Sequence, residues 1–194
     1  MTKSDATKAE EFYQRWGLAA LMFGIFMAGM DSSIVMISLP RIQASLGASM
    51  VELEWVANGY LLAQTIVLPA AGRLSDIFGC RLFYVLGLSL FVLASALCGT
   101  AWNPGALIFF RVIQGMGAGI IMASSLAILS HTFPPAKLGQ AMGIWIAGIT
   151  IAAAAGPTLG GYLTESFGWE SIFLVNVPVG IIGVIMTLTI LKET

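Results

Sequence analysis

The chain has 194 residues, 58% of them hydrophobic and 10% charged, with a net charge of −1 at pH 7 and a mean hydropathy of +0.90. Soluble domains carry about 25% charged residues, so a water-soluble globule is excluded. No Lys/Arg run is present, which argues against a nucleic-acid partner or a polybasic lipid patch.

In chain order, hydropathy predicts an N-terminal tail over 1–15 and six spans over 16–39, 54–72, 82–101, 105–130, 138–163 and 171–191, followed by a short C-terminus over 192–194. Each span supplies about the 20 apolar residues needed to cross a bilayer. Pro40 and Arg41 are expected to end the first span, and the stretch from Arg73 to Arg81 to separate the second from the third. Asn103, Pro104 and Gly105 divide the third from the fourth, Pro134 and Pro135 precede the fifth, and Gly168 precedes the sixth. A transmembrane barrel is excluded, because these runs are continuously apolar and about twice the length of a barrel strand. The first apolar run, Gly17 to Leu39, exceeds the roughly 7–15 residues of a signal-peptide core, so it reads as an uncleaved span. The tail before it, with interleaved Lys and Glu, reads as a solvated or interfacial helix.

Cation placement predicts orientation. Lys3, Lys8, Arg15, Arg73, Arg81, Lys137 and Lys192 fall on the side of the termini, whereas Arg41 alone falls on the other. The positive-inside rule then puts both termini in the cytoplasm of a multi-pass protein of the inner or plasma membrane. Cys80 and Cys98 lie at opposite ends of one span, roughly 27 Å apart at 1.5 Å per residue, too far for a disulfide.

Two charges fall inside spans: Asp31 in the first and Arg111 in the fourth. Each costs about 2.5–3.5 kcal/mol at a helix centre on insertion scales, which makes an intramembrane charge a functional candidate whose partner must be found. Counted from Pro40, Asp31 lies roughly 13 Å below one membrane face, and counted from Gly105, Arg111 lies roughly 9 Å below the same face, so the two are expected to pair. One reading is a permanent ion pair that fixes helix packing. The other is a proton-linked pair, in which Arg111 holds Asp31 ionised while they touch and Asp31 takes up a proton when they part.

Arg111, Gln114, Gly115 and Met122 share one face of the fourth span, and Tyr60 and Gln64, with Asn58 nearby, mark the second. Of these, Asn58, Tyr60, Gln64, Gln114 and Gly115, together with Met27 one turn from Asp31, are candidates for a substrate cavity; helix-to-helix hydrogen bonding and packing are the alternative. Gly115, Gly117 and Gly119 predict close packing of the fourth span. Gly156, Pro157, Gly160 and Gly161 predict a small, bent stretch in the fifth. No strand precedes the Gly-x-Gly-x-Gly run and no Gly-Lys dipeptide exists, so neither dinucleotide nor P-loop chemistry is indicated. His131, the single histidine, reads as an interfacial residue, and neither a nucleophile–base pair nor a metal-ligand cluster is visible by spacing. No enzyme activity and no cofactor are expected, with protons as the coupling ion.

Several segments together resemble the N-terminal half of the fourteen-span drug:proton antiporter branch of the major facilitator superfamily. Gly72, Arg73, Asp76, Gly79 and Arg81 resemble its cytoplasmic loop signature, and Arg111 with Gln114 and Gly115 its arginine motif. Gly156, Pro157, Gly160 and Gly161 resemble its antiporter motif, Asp31 through Pro40 its first-helix motif, and Trp169 through Phe173 with Asn176, Pro178 and Gly180 its sixth-helix entrance. Cys80 and Glu170 depart from the pattern, each standing where the family usually has a basic residue.

The resemblance implies an all-α membrane protein whose six helices form a 3+3 inverted repeat, half of a major facilitator fold. It further implies efflux of lipophilic or cationic small molecules in exchange for protons. Asp31 and Arg111 would be the coupling pair, and Asp76, Arg73 and Arg81 a cytoplasmic latch. One half supplies one wall of a cavity, so either a second half or a second copy in a parallel homodimer is expected. Export of one dedicated metabolite and a non-transporting assembly role in the bilayer are the rival functions.

Overall fold

The computed structural model describes the backbone of residues 3–191 and side chains from Gln14 onward. The predicted C-terminus over 192–194 and the side chains of Lys3 and Lys8, used in the orientation count, lie outside the described residues. The elements are α1 (Lys3–Leu46), α2 (Met50–Phe78), α3 (Cys80–Cys98), α4 (Pro104–Thr132), α5 (Pro135–Phe167), α6 (Ser171–Leu174) and α7 (Asn176–Ile190), with no strand among the described residues. Among the described residues, six stretches are long and apolar enough to cross a membrane, α6 and α7 together forming the last.

Three predicted boundaries move. Pro40 does not end the first helix: α1 continues through it to Leu46 and stops at Gly47, whose φ of 65° lies in the left-handed region. A proline removes only its own N–H and fixes φ near the helical value, so a well-packed helix can run past it. The stretch from Arg73 to Arg81 is not a loop, because α2 stays helical to Phe78 and Gly79 alone joins it to α3. Gly79 adopts φ 105°, where a side chain would be strained. At about 44 Å, α2 outreaches a hydrocarbon core of about 30 Å, so Arg73 and Asp76 can be helical and hydrated together. The tail over 1–15 is not a separate element from Lys3 onward, since α1 begins there without a break.

Helix starts follow local chemistry. Asn103 Oδ1 accepts the Ala106 N–H at 2.8 Å, with Pro104 as the first helical residue of α4. Ser49 and Glu52 form a reciprocal capping box on α2.

Helix α4 packs along α2 and α3, α1 packs along α5 and α7, and α3 meets α7 between the two groups. Exchanging α1–α3 for α4–α7 preserves this pattern, as a 3+3 repeat requires. In their most apolar windows, α1 and α4 are each 61% buried against 17% for α2 and 22% for α5. The first pair therefore forms the centre, and the second leaves a broad face open. Large apolar side chains such as Ile66, Leu93 and Ile185 point outward, where hydrocarbon rather than water is the natural solvent.

Small residues set the spacing. A Cβ at Gly115 would collide with the Tyr60 carbonyl, one at Gly119 would lie 2.7 Å from the Gln64 carbonyl, and one at Gly117 would lie 2.8 Å from the Phe91 nitrogen. Thus α4 turns Gly115 and Gly119 to α2 and Gly117 to α3. Gly156 and Gly160 likewise seat α5 on α1, against the Ser33 side chain and the Ile34 backbone, beside a 2.7 Å hydrogen bond between the Ser38 and Thr164 hydroxyls. Gly161 has open space around it, so the expected close packing does not extend to that position. Replacing Gly115 with Ala is expected to lower stability in detergent by about 1–3 kcal/mol, since the obstructing atom is backbone. Gly143→Ala, which meets nothing within 4 Å, should be neutral or gain up to about 1 kcal/mol; comparison of the two unfolding midpoints checks the contrast.

Candidate functional site

The buried interior of α1 and α4 holds the two charges singled out by sequence. Asp31 is 0% and Arg111 1% exposed, and Arg111 Nη1 donates to Asp31 Oδ2. An ion pair this dry survives only if its remaining polar atoms are also satisfied. Asp31 Oδ1 accepts from Gln114 Nε2 at 2.9 Å and from Asn176 Nδ2 at 3.0 Å. Arg111 Nε donates to the Val56 carbonyl at 3.1 Å, and Nη1 also reaches Gln114 Oε1 at 2.6 Å. Ser95 Oγ accepts from Gln114 Nε2 at 2.6 Å. The guanidinium lies over the Tyr60 ring, 4.2 Å from its centroid, with the Phe173 ring at 5.7 Å.

Each contributor is placed by its own helix. Arg111 and Gln114 are one turn apart on α4, so both reach Asp31. Asn176 is the first residue of α7, one residue beyond α6, with helical backbone angles kept at Val175 between them. Ser95 comes from the buried face of α3, and Val56 and Tyr60 from that of α2. Two members escaped the sequence reading as partners of the pair. Ser95 is a lone hydroxyl in an apolar span, and Asn176 entered only through the motif after Trp169.

The predicted cavity residues divide. Met27, Tyr60, Gln114 and Gly115 are buried within the bundle and do not line an open cavity. Tyr60 turns inward because its ring stacks on Arg111 and its hydroxyl donates to the Ala28 carbonyl at 3.3 Å. Met27 is directed to Gly180 on α7. Asn58 is exposed and lines a groove with Met36 and Leu53 between α1 and α2. Gln64 lines a smaller cleft of about 100 Å³ among α1, α2, α4 and α5, where its amide donates to Met122 Sδ at 2.7 Å.

The 72–81 motif is also rearranged from expectation. Asp76 faces His131, with Oδ1 4.0 Å from Nε2. Arg81 instead directs Nη2 to the Leu188 carbonyl on α7 at 2.7 Å. The single-residue link at Gly79 turns the two side chains to different neighbours, so Arg81 does not join Asp76 in one latch. Spacing gave no sign of a metal-ligand cluster, yet the donor atoms of Asp76, Cys80 and His131 all lie within 4.8 Å of one another. A separation of 55 residues hides His131 from any local motif.

The family model described as Major Facilitator Superfamily matches residues 21–194. The chain is 42% identical over 176 residues to the tetracenomycin C resistance and export protein of Streptomyces glaucescens, covering 91% of this chain and 33% of that protein. It is 38% identical over 181 residues to a riboflavin transporter of Clostridioides difficile, covering 93% and 40%. It is 40% identical over 173 residues to a probable multidrug resistance protein of Escherichia coli, covering 89% and 34%. The chain thus spans about a third of the length of these relatives.

Removing one charge of the pair strands the other. Arg111→Met is expected to destabilise the fold by about 3–5 kcal/mol, whereas Asp31→Leu with Arg111→Met should recover most of that loss. Unfolding of the single and double variants in detergent gives the coupling directly.

Proposed function

The chain belongs to the major facilitator superfamily, and from that premise we propose that it acts in proton-coupled efflux of lipophilic or cationic small molecules by alternating access. It is a multi-pass membrane protein of a transporter family, and relatives named for drug resistance and export support the direction. The observation that carries the coupling is the dry Asp31–Arg111 pair, an ionisable contact with several hydrogen-bonding neighbours and no access to water in this conformation.

In the proposed cycle, ionised Asp31 is held by Arg111, Gln114 and Asn176. Movement of α1 against α4 parts the charges, and the carboxylate, left without its cation in a low dielectric, takes up a proton. Return to the closed arrangement restores the arginine contact and expels the proton on the other side. A compound carrying a positive charge competes with the proton for the same carboxylate, which couples the two movements. Asn58, Gln64 and the grooves beside them offer surface for an apolar substrate, with protons as the coupling ion. Within the Gly156, Pro157, Gly160 and Gly161 motif, Gly156 and Gly160 keep α5 close enough to α1 to follow it.

The open faces of α2 and α5 call for a second six-helix unit, which another copy or a further stretch of chain would supply around an axis along the membrane normal. Arg73, Arg81 and Lys137 against Arg41 support an orientation with the termini in the cytoplasm. In a parallel homodimer, Asp76 would face the start of the partner's fifth helix, where the helix dipole favours an anion.

Reconstituted protein should release protons when an accepted compound is added from a panel of lipophilic cations and neutral aromatics. Asp31→Asn should abolish that release while leaving membrane insertion intact, and unchanged release in the variant would sink the coupling role. For self-pairing, a variant with both native cysteines removed and Asp76→Cys with Gly139→Cys should give an oxidised dimer band in membranes. Absence of that band would count against the homodimer.

A further inference from the structure

Far from the Asp31–Arg111 pair in sequence and chemistry, the ends of α2, α3 and α4 bring together a carboxylate, a thiol and an imidazole. Asp76 lies in the last turn of α2, Cys80 is the first residue of α3, and His131 lies in the last turn of α4. One ligand atom from each falls within 4.8 Å of the other two. We propose that Asp76, Cys80 and His131 form a binding site for a divalent d-block metal ion of the zinc class, which ties the ends of these three helices together.

The donor set selects the ion. A thiolate with an imidazole suits borderline-soft metals and disfavours Mg²⁺ and Ca²⁺, which prefer oxygen. Three protein ligands leave a fourth, water-filled position in a tetrahedral shell.

The geometry leaves room for the ion. The 4.0 Å between His131 Nε2 and Asp76 Oδ1 is too long for a hydrogen bond. Around zinc, with bonds of about 2.0–2.2 Å to nitrogen and oxygen, the two atoms would close to roughly 3.4 Å. Both side chains can make that adjustment, being 53% and 63% exposed. Cys80 supplies the fixed point: it is buried, and its Sγ lies 3.6 Å from the Ser75 carbonyl. Its place at the start of α3, where the helix dipole favours negative charge, would favour the thiolate once a metal displaces the Sγ proton that is now directed to the Ser75 carbonyl. Arg81, the adjacent cation, is directed away to the Leu188 carbonyl, so it does not occupy the anionic pocket.

The position also matters mechanically. Gly79 alone links α2 to α3, and an ion shared with α4 would close the third side of that corner. Bound metal would then oppose any motion that separates the end of α4 from the α2–α3 turn.

Titration of the purified full chain with Co²⁺ tests the site spectroscopically. One equivalent should produce a thiolate-to-cobalt charge-transfer band that Zn²⁺ displaces. Cys80→Ser should abolish the band and Cys98→Ser, the other cysteine, should leave it. His131→Gln, at a half-exposed position, should weaken Zn²⁺ binding by about tenfold or more, since even an outer-shell partner is worth 10–100-fold. Absence of a charge-transfer band, a band that survives Cys80→Ser, or unchanged Zn²⁺ affinity in His131→Gln would each overturn the proposal. Helical circular dichroism of the variants separates loss of the site from loss of the fold, and if Cys80→Ser does not fold, the His131→Gln affinity decides.

Discussion

The contact between Asp31 and Arg111 constrains everything around it. Two opposite charges removed from water must meet each other and must also satisfy every remaining lone pair and N–H, because an orphaned polar atom in a low dielectric costs more than a hydrogen bond returns. Here much of that demand is met by atoms from four helices besides the two that carry the charges: the Val56 carbonyl and Tyr60 ring of α2, the Ser95 hydroxyl of α3, the Phe173 ring of α6 and the Asn176 amide N–H of α7, whose own Oδ1 is left without a partner. Rotating or sliding any one of them by a turn would remove its contribution. The polar knot therefore selects one register for the whole bundle from the many that apolar packing would tolerate.

Packing supplies the other half of the argument. Between helices in lipid, the hydrophobic effect adds little, and association depends on close van der Waals contact and hydrogen bonds. The alternating glycines of α4 let backbones on two sides approach a single helix, and Gly156 and Gly160 do the same where α5 meets α1. The two arrangements are counterparts: α4 seats on α2 as α1 seats on α5. Close backbone approach also brings the Arg111 head within reach of the Val56 carbonyl, so the glycines and the ion pair depend on each other. Bulk at Gly115 would separate α2 from α4 where Tyr60 covers the guanidinium.

Hydropathy located all six spans because the cost of exposing apolar residues is local and additive along the chain. The helices run past those spans, because helical hydrogen bonding does not stop where the hydrocarbon does: α2 carries Arg73 and Asp76 as helix, and α1 passes Pro40. Charge marked Asp31 and Arg111, since an ionised group in an apolar run is costly and rare. Ser95 carried no comparable mark, because a hydroxyl can satisfy itself within its own helix and leaves no pattern. Tyr60 carried a misleading one, reading as a cavity residue when its ring is spent on the arginine.

From the sequence alone follow the membrane class, the number of spans, the family resemblance and the pair of intramembrane charges, each a property of residue type and spacing. The tertiary structure decided which polar groups share that pair, which expected cavity residues are interior, and that Asp76 meets His131 and Cys80 rather than Arg81. These are questions of helix rotation and depth. They are settled largely by contacts between residues far apart in the chain, up to 145 positions for Asn176 and Asp31, for which no local pattern exists.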